Sequence, residues 1–426
     1  MILNNMNLIK FCEDLYIIPR SLTGEGVVKT LEYIQNIIPI EILDVPSGTI
    51  AFDWTVPPEW NISDAYIIDL STNEKIIDFK NHNLHVIGYS SSIDKEIDYS
   101  ELISHLYFIE EQPDAIPYIT SYYAERWGFC LTYNQFKNLK KDSKYKVYVD
   151  SRYNKNGKLT YGEYFIKGKS EEEILFSSYI CHPQMVNNEL SGPAVLTGIA
   201  NHLKNRDNYY SYRFVLIPET IGSITYLSKN FIHLKEKVIG GFNLTCLGDE
   251  RSWGYIPSRY GNNISDRIAK YLLKNKIGNF IEYSWLDRGS DERQYCAPGV
   301  DLPISSVTRS KYGEYPEYHT SKDNFELVTE KGLNESLDFY LECVEIFERN
   351  RFYPKLNVLC EPQLGKRGLY PSISTKESGK IVRNMMNFIS YCDGNNSILD
   401  ISEICNIPFN ESFSYYLNMK SNGLID

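Results

Sequence analysis

Histidine is scarce in this chain, with seven in 426 residues. Chemistry that needs several imidazoles must therefore draw on few positions. The nine cysteines are odd in number, scattered, and form no CxxC pair. That pattern excludes a cysteine-rich zinc site and a disulfide framework, and reads as reduced thiols in a cytoplasm. No stretch approaches the roughly 18 apolar residues of a membrane span, so no membrane partner is expected. The opening MILNNMNLIKFCEDLYIIPR is interrupted by charges and amides, and reads as no secretory signal. Positive charge is in deficit: 44 Lys and Arg against 55 Asp and Glu leave −11. A general phosphate-backbone binder needs the opposite sign, so nucleic acid is not expected as the main partner.

Composition is otherwise ordinary for a globular protein, at 42% hydrophobic and 23% charged. The 34 Tyr, 19 Phe and 5 Trp can fill a large core and wall a cleft. At about 150 residues per domain the length suggests two or three domains. Residues 1–45 read as helical, with a break at Ser21–Gly26. From about 48 to 130, short β-branched and aromatic runs (Thr49–Trp54, Ala65–Asp69, Lys75–Phe79, His85–Tyr89) alternate with turns, as in an inserted β-rich domain.

From about 145 the pattern is α/β. Strands are expected at Tyr145–Val149, Ile174–Ile180, Phe214–Ile217, Val238–Cys246 and Leu302–Val307, with helices at Gly192–Leu203, Gly222–Phe231, Asn263–Leu273 and Lys331–Phe347. This alternation predicts a doubly wound, mainly parallel sheet. Pro354, Pro362, Gly365, Gly368 and Pro371 mark a linker. Three short helices and a terminal Gly-Leu-Ile then resemble a winged-helix unit. Its third helix sets Lys420 against Glu411, which argues for docking or dimerisation, and hence a homo-oligomer, over DNA reading. The expected division is 1–47 with 131–351 for the α/β domain, 48–130 for the insert, and 352–426 for linker and winged helix.

Ligands of open α/β sheets bind beyond the carboxyl ends of the strands. At those ends stand Cys181-His182-Pro183 followed by Asn187-Asn188-Glu189-Leu190-Ser191-Gly192; Pro218-Glu219-Thr220; Gly248-Asp249-Glu250; Gly289-Ser290-Asp291-Glu292-Arg293 after a strand expected at Tyr283–Leu286; and Tyr318-His319-Thr320. Singly, each has a plain structural reading. A histidine after a strand is commonly a hydrogen-bonded turn residue, Ser191 a helix cap, Asp249 a turn, and Asp291 with Glu292 a partner of Arg288 and Arg293. Together, two histidines and several carboxylates at one sheet edge suit a dication such as zinc.

The order His182…NNELSG…Glu219…Gly-Asp249…GSDERQY…HTSKDN resembles the clan MH zinc peptidases, the co-catalytic aminopeptidases and their glutaminyl-cyclase relatives. Across the chain, FDWTVPPEWNISDAYI, RWGFCL, PETIGS and YGEYPEYHTSKDN are similar to a bacterial aminopeptidase-like group within it. That group carries an inserted β domain and a C-terminal winged helix.

The resemblance implies His182, Asp249 and His319 as metal ligands, Asn188 as a fourth, and Glu219 as general base. It also implies a pocket lined by Ser290, Asp291, Glu292, Arg293 and Tyr312, where an acid could bind an ammonium and Arg293 a carboxylate. The family's bridging aspartate falls on Asn188 and its second glutamate on Thr220. One zinc is therefore expected to bind firmly and a second weakly or not at all. The implied activity is zinc-dependent hydrolysis of a small peptide or amide, by an aminopeptidase or a small-molecule amide hydrolase. Two alternatives stand: an acyl-transfer or amide-hydrolysing enzyme on a modified sugar or amino-acid conjugate, and a catalytically weak binding or assembly protein.

Overall fold

The computed structural model describes residues 6–369 and 376–425, without the side chains of 376–378; Pro371 of the expected linker lies outside them. The chain divides into two compact units, residues 1–267 with 279–338, and residues 268–278 with 339–426.

The first unit is built on an eight-stranded mixed sheet. Its centre is parallel: Ser211–Ile217, Glu173–Tyr179, Val238–Asn243 and Ile304–Thr308 lie side by side. Every residue of Glu173–Tyr179 and Ser211–Ile217 is buried, as expected for central parallel strands covered on both faces. Antiparallel strands flank this centre, with Glu41–Pro46 and Lys158–Ile166 on one side and Gly254–Ile256 on the other. The helix Ser191–Leu203 packs on Glu173–Tyr179. Gly192 permits this closeness, because a Cβ there would collide with Ser178 Oγ and the Leu244 carbonyl.

A second sheet of four antiparallel strands runs in the order Glu74–Asp78, Glu59–Asp69, Lys144–Asn154, Ile93–Asp98. Lys144–Asn154, expected to open the α/β alternation, is a central strand of this sheet. Its alternating burial puts Tyr145, Val147 and Val149 into a core with Ala65, Ile67 and Ile97. Two further expectations change. His85 lies in a 3₁₀ turn, Asn83–His85. Tyr283–Leu286 is not a strand, because Ser284 and Asp287 cap one another across a 3₁₀ turn at Trp285–Asp287.

The second unit is helical. Lys376–Ser390, Ile398–Cys405 and Phe409–Ser421 follow the expected tail helices. Bridges Lys355↔Asp393 and Leu356↔Ile425 tie its ends together. Among the described residues no helix is long and apolar enough to cross a membrane.

Candidate metal and active site

The parallel strands bring His182, Glu219 and His319 into one pocket of about 350 Å³. His182 follows Glu173–Tyr179, and Glu219 follows Ser211–Ile217. Their side chains meet, with His182 Nε2 3.6 Å from Glu219 Oε2. The His182 and His319 rings lie 5.4 Å apart between centroids. Backbone strain gathers here: Thr220 and His319 take φ of +65° and +55°, conformations that non-glycine residues keep only where surrounding contacts enforce them. Thr220 is held by its N–H, which donates to Asp291 Oδ1 at 2.8 Å.

A roof comes from the segment around residues 116–123. Tyr118 N–H donates to the His319 carbonyl at 2.8 Å, and Ser321 N–H to the Ile116 carbonyl at 2.9 Å. This strap places Tyr118 against both imidazoles, at 5.2 and 5.0 Å from their centroids. Tyr118 and Tyr122 share a hydroxyl hydrogen bond of 2.7 Å. With Trp54 and Tyr123 they wall the pocket.

Burial holds both imidazoles near pKa 3, helped by Arg20 for His182 and by His182 for His319, so both are neutral at pH 7. The inner edge of His182 is occupied. Its Nδ1 lies 2.8 Å from Glu189 Oε2, and Arg20 Nε sits 3.5 Å from Glu189 Oε1. A buried carboxylate behind a histidine orients the ring and leaves Nε2 to bind. Burial raises the Glu189 carboxyl to about 8, and Arg20 opposes it.

Cys181, His182 and Glu189 form, among the described residues, the group of three ligand-type side chains within 4.8 Å of one another. Cys181 and His182 of this group also line the pocket. The Cys181 sulfur accepts the Glu219 N–H at 3.2 Å, and burial beside Glu189 and Glu219 pushes the thiol well up.

Two buried atoms have no hydrogen-bond partner: Nε2 of His319, which lines the pocket, and Oδ1 of Asn188, which does not. Asn188 Nδ2 donates to the Tyr179 hydroxyl at 2.8 Å, which also meets Thr245 Oγ1 at 2.5 Å. His182, His319 and the Glu219 carboxyl line one pocket, but their ligand atoms do not all come within 4.8 Å of one another as those of Cys181, His182 and Glu189 do, so the two ring nitrogens would hold a divalent ion there only if the side chains closed on it. Burial, then the charge of Asp291, raises Glu219 to about 8, against the pull of Arg293.

Other expected residues are placed differently. Asp249 is wholly buried, and its carboxylate is taken up by donors: Arg251 N–H and Ser310 O–H on Oδ1, Ser310 N–H and Asn187 Nδ2 on Oδ2, at 2.8–3.2 Å. It braces the Asn187 turn and does not line the pocket. Ser290, Asp291, Glu292 and Tyr312 lie behind the pocket. Glu292 Oε1 accepts from Gly289 N–H, Ser290 N–H and the Tyr312 hydroxyl, and Ser290 Oγ accepts from Asn243. Arg293 does line the pocket. Asp323, closing the HTSKD motif, accepts the N–H groups of Val186, Asn187 and Asn188, and so shapes the turn carrying Asn188 and Glu189.

Sequence reasoning missed Arg20, Tyr118 and Tyr122, which no local motif marks. Glu189 stood inside NNELSG but was given no orienting role.

The fold has close parallels. A Clostridium acetobutylicum protein, provisionally named a polysaccharide biosynthesis protein with aminopeptidase-like domain, is 46% identical over 391 residues, 92% of this chain and 89% of its own. A crystal structure of a provisionally named peptidase from the same organism is 43% identical, covers 98% of this chain and 95% of its own, and superposes with a TM-score of 0.92. The zinc aminopeptidase BSAP of Bacillus subtilis shares 11% identity and a TM-score of 0.58, over 81% of this chain and 94% of its own, which shows an aminopeptidase-like fold. Residues 351–426 match a winged helix-turn-helix family. The family described as "Domain of unknown function (DUF4910)" matches residues 9–350, which include His182 and His319, and the chain belongs to that family.

Proposed function

We propose that this protein is a metal-dependent amide hydrolase of small substrates, with a single zinc held by His182 and His319. One observation carries the reading: two neutral imidazoles and a carboxylate face one pocket, one ring fixed from behind by Glu189 and the other presenting a buried, unpartnered Nε2. A zinc ion supplies a Lewis acid that acidifies water and polarises an amide carbonyl. Glu219, 22% exposed at its side chain and beside His182, takes a proton from the attacking water and returns it to the leaving nitrogen. Asn188, Thr220 and Thr245 offer neutral oxygens only, which supports one ion over two. The pocket, near the lower end of ligand-site volumes, suits a small molecule. The name of the Clostridium relative favours an amide borne on a sugar conjugate.

Zinc titration of chelator-treated protein, followed by hydrolysis assays on aminoacyl-anilides and N-acetylated sugars, tests this reading. One zinc with turnover supports it. Zinc without turnover on either class would leave a binding module with a peptidase-like fold, and no zinc would remove the reading.

A further inference from the structure

The charge arrangement of the pocket carries the reading one step further, to the substrate class. An enzyme that grips a free amino terminus needs an open carboxylate beside the scissile bond. Here the other nearby acids do not line the cavity. Asp291 Oδ1 accepts from Thr220 N–H and Ser223 O–H while its Oδ2 is buried without a partner, and both oxygens of Glu292 accept hydrogen bonds. The carboxylate that does line it is Glu219, the proposed base.

Arg293 stands on the same wall. Its Nη2 donates to Thr220 Oγ1 at 2.5 Å, while its Nε is buried and donates to nothing. A buried guanidinium N–H without an acceptor is a costly vacancy, and a planar carboxylate is the group whose geometry fills it. The same pocket is lined by Tyr118, Tyr122 and the half-exposed Trp54 and Tyr123, apolar faces suited to the flat side of a ring.

We propose that the substrate is an amide that carries a carboxylate, which Arg293 binds, and that it offers no free α-ammonium. This rests on the proposed hydrolase site. The carboxylate can belong to an N-acylated amino acid or to an N-acylated sugar acid, and the chemistry Arg293 recognises is the same.

The test is calorimetric binding to the zinc-loaded full chain, using two matched pairs. N-acetylphenylalanine is compared with its carboxamide, and N-acetylglucosaminuronic acid with N-acetylglucosamine. In at least one pair the acid is expected to bind about tenfold to a hundredfold more tightly than its neutral partner, the range for a hydrogen-bonded charge. The pair that responds identifies the carrier. In Arg293→Gln the preference should vanish, and in Arg293→Lys it should partly return. Thermal melts verify that both variants fold. Neutral ligands binding as well as their acids in both pairs, tighter binding of leucinamide than of either acid, discrimination that survives Arg293→Gln, or no binding by any of the four would overturn the inference. Zinc stoichiometry on the same samples reports on the hydrolase site separately, so failure of one is not mistaken for failure of the other.

Discussion

Glu219→Gln separates the demands of chemistry from those of stability. In the metal-free protein, burial and the neighbouring Asp291 raise this carboxyl from 4.5 to about 8. An acid whose folded value lies above its unfolded one binds more protons when folded, so between about pH 4.5 and 8 the wild type loses stability as pH rises. The full interval would amount to several kcal/mol at about 1.4 kcal/mol per unit. Because the side chain is 22% exposed, we expect a loss on the order of 2 kcal/mol. Glutamine cannot ionise, so the metal-free variant should match wild type at pH 4.5 and be more stable by about that amount at pH 9. Urea unfolding at the two pH values measures it. With zinc restored, turnover should fall about 10²–10⁴-fold, the usual cost of a lost general base, with zinc content unchanged. A variant less stable than wild type at pH 9 would show that favourable contacts hold the carboxylate, contrary to a poised base. Loss of zinc together with activity would make Glu219 a ligand instead.

Three further outcomes follow from named contacts. Glu189→Gln replaces the carboxyl that holds His182 Nδ1 with an amide and should weaken zinc binding about 10–100-fold in competition with a chromophoric chelator; unchanged affinity would deny the orienting role. Asp249→Ala strands the Arg251 and Ser310 N–H groups and should lower unfolding free energy by about 3 kcal/mol, with zinc stoichiometry retained; zinc loss at full stability would restore Asp249 as a ligand. In the C-terminal unit, Ser397→Ala breaks the reciprocal cap with Asp400 and should cost about 1 kcal/mol, read as faster amide exchange in Ile398–Cys405.

Some of this protein is written locally. The predominantly apolar runs at 174–180, interrupted only by Ser177 and Ser178, and at 214–217 are best satisfied inside a covered sheet, so the α/β core and the edge that carries the candidate site were legible from the sequence. His182 and Glu219 stand just where the strands Glu173–Tyr179 and Ser211–Ile217 stop, and such ends in an open α/β sheet face a crevice. The tail helices follow from caps such as Ser397 and from helical spacing, which are also local signals. Other features depend on partners distant in the chain. Tyr145–Val149 has the alternation of a half-buried strand, but alternation does not say which sheet receives it; pairing with Glu59–Asp69 decides that. Asp249 and Glu189 are both carboxylates at the same edge, and only the Ser310 donors, 61 positions on, show that Asp249 is consumed by structure. Arg20 and Tyr118 reach the histidines through contacts spanning more than a hundred positions, Arg20 Nε to the His182 carbonyl and Tyr118 N–H to the His319 carbonyl. Local periodicity carries no trace of such contacts, because they form only when the chain closes on itself.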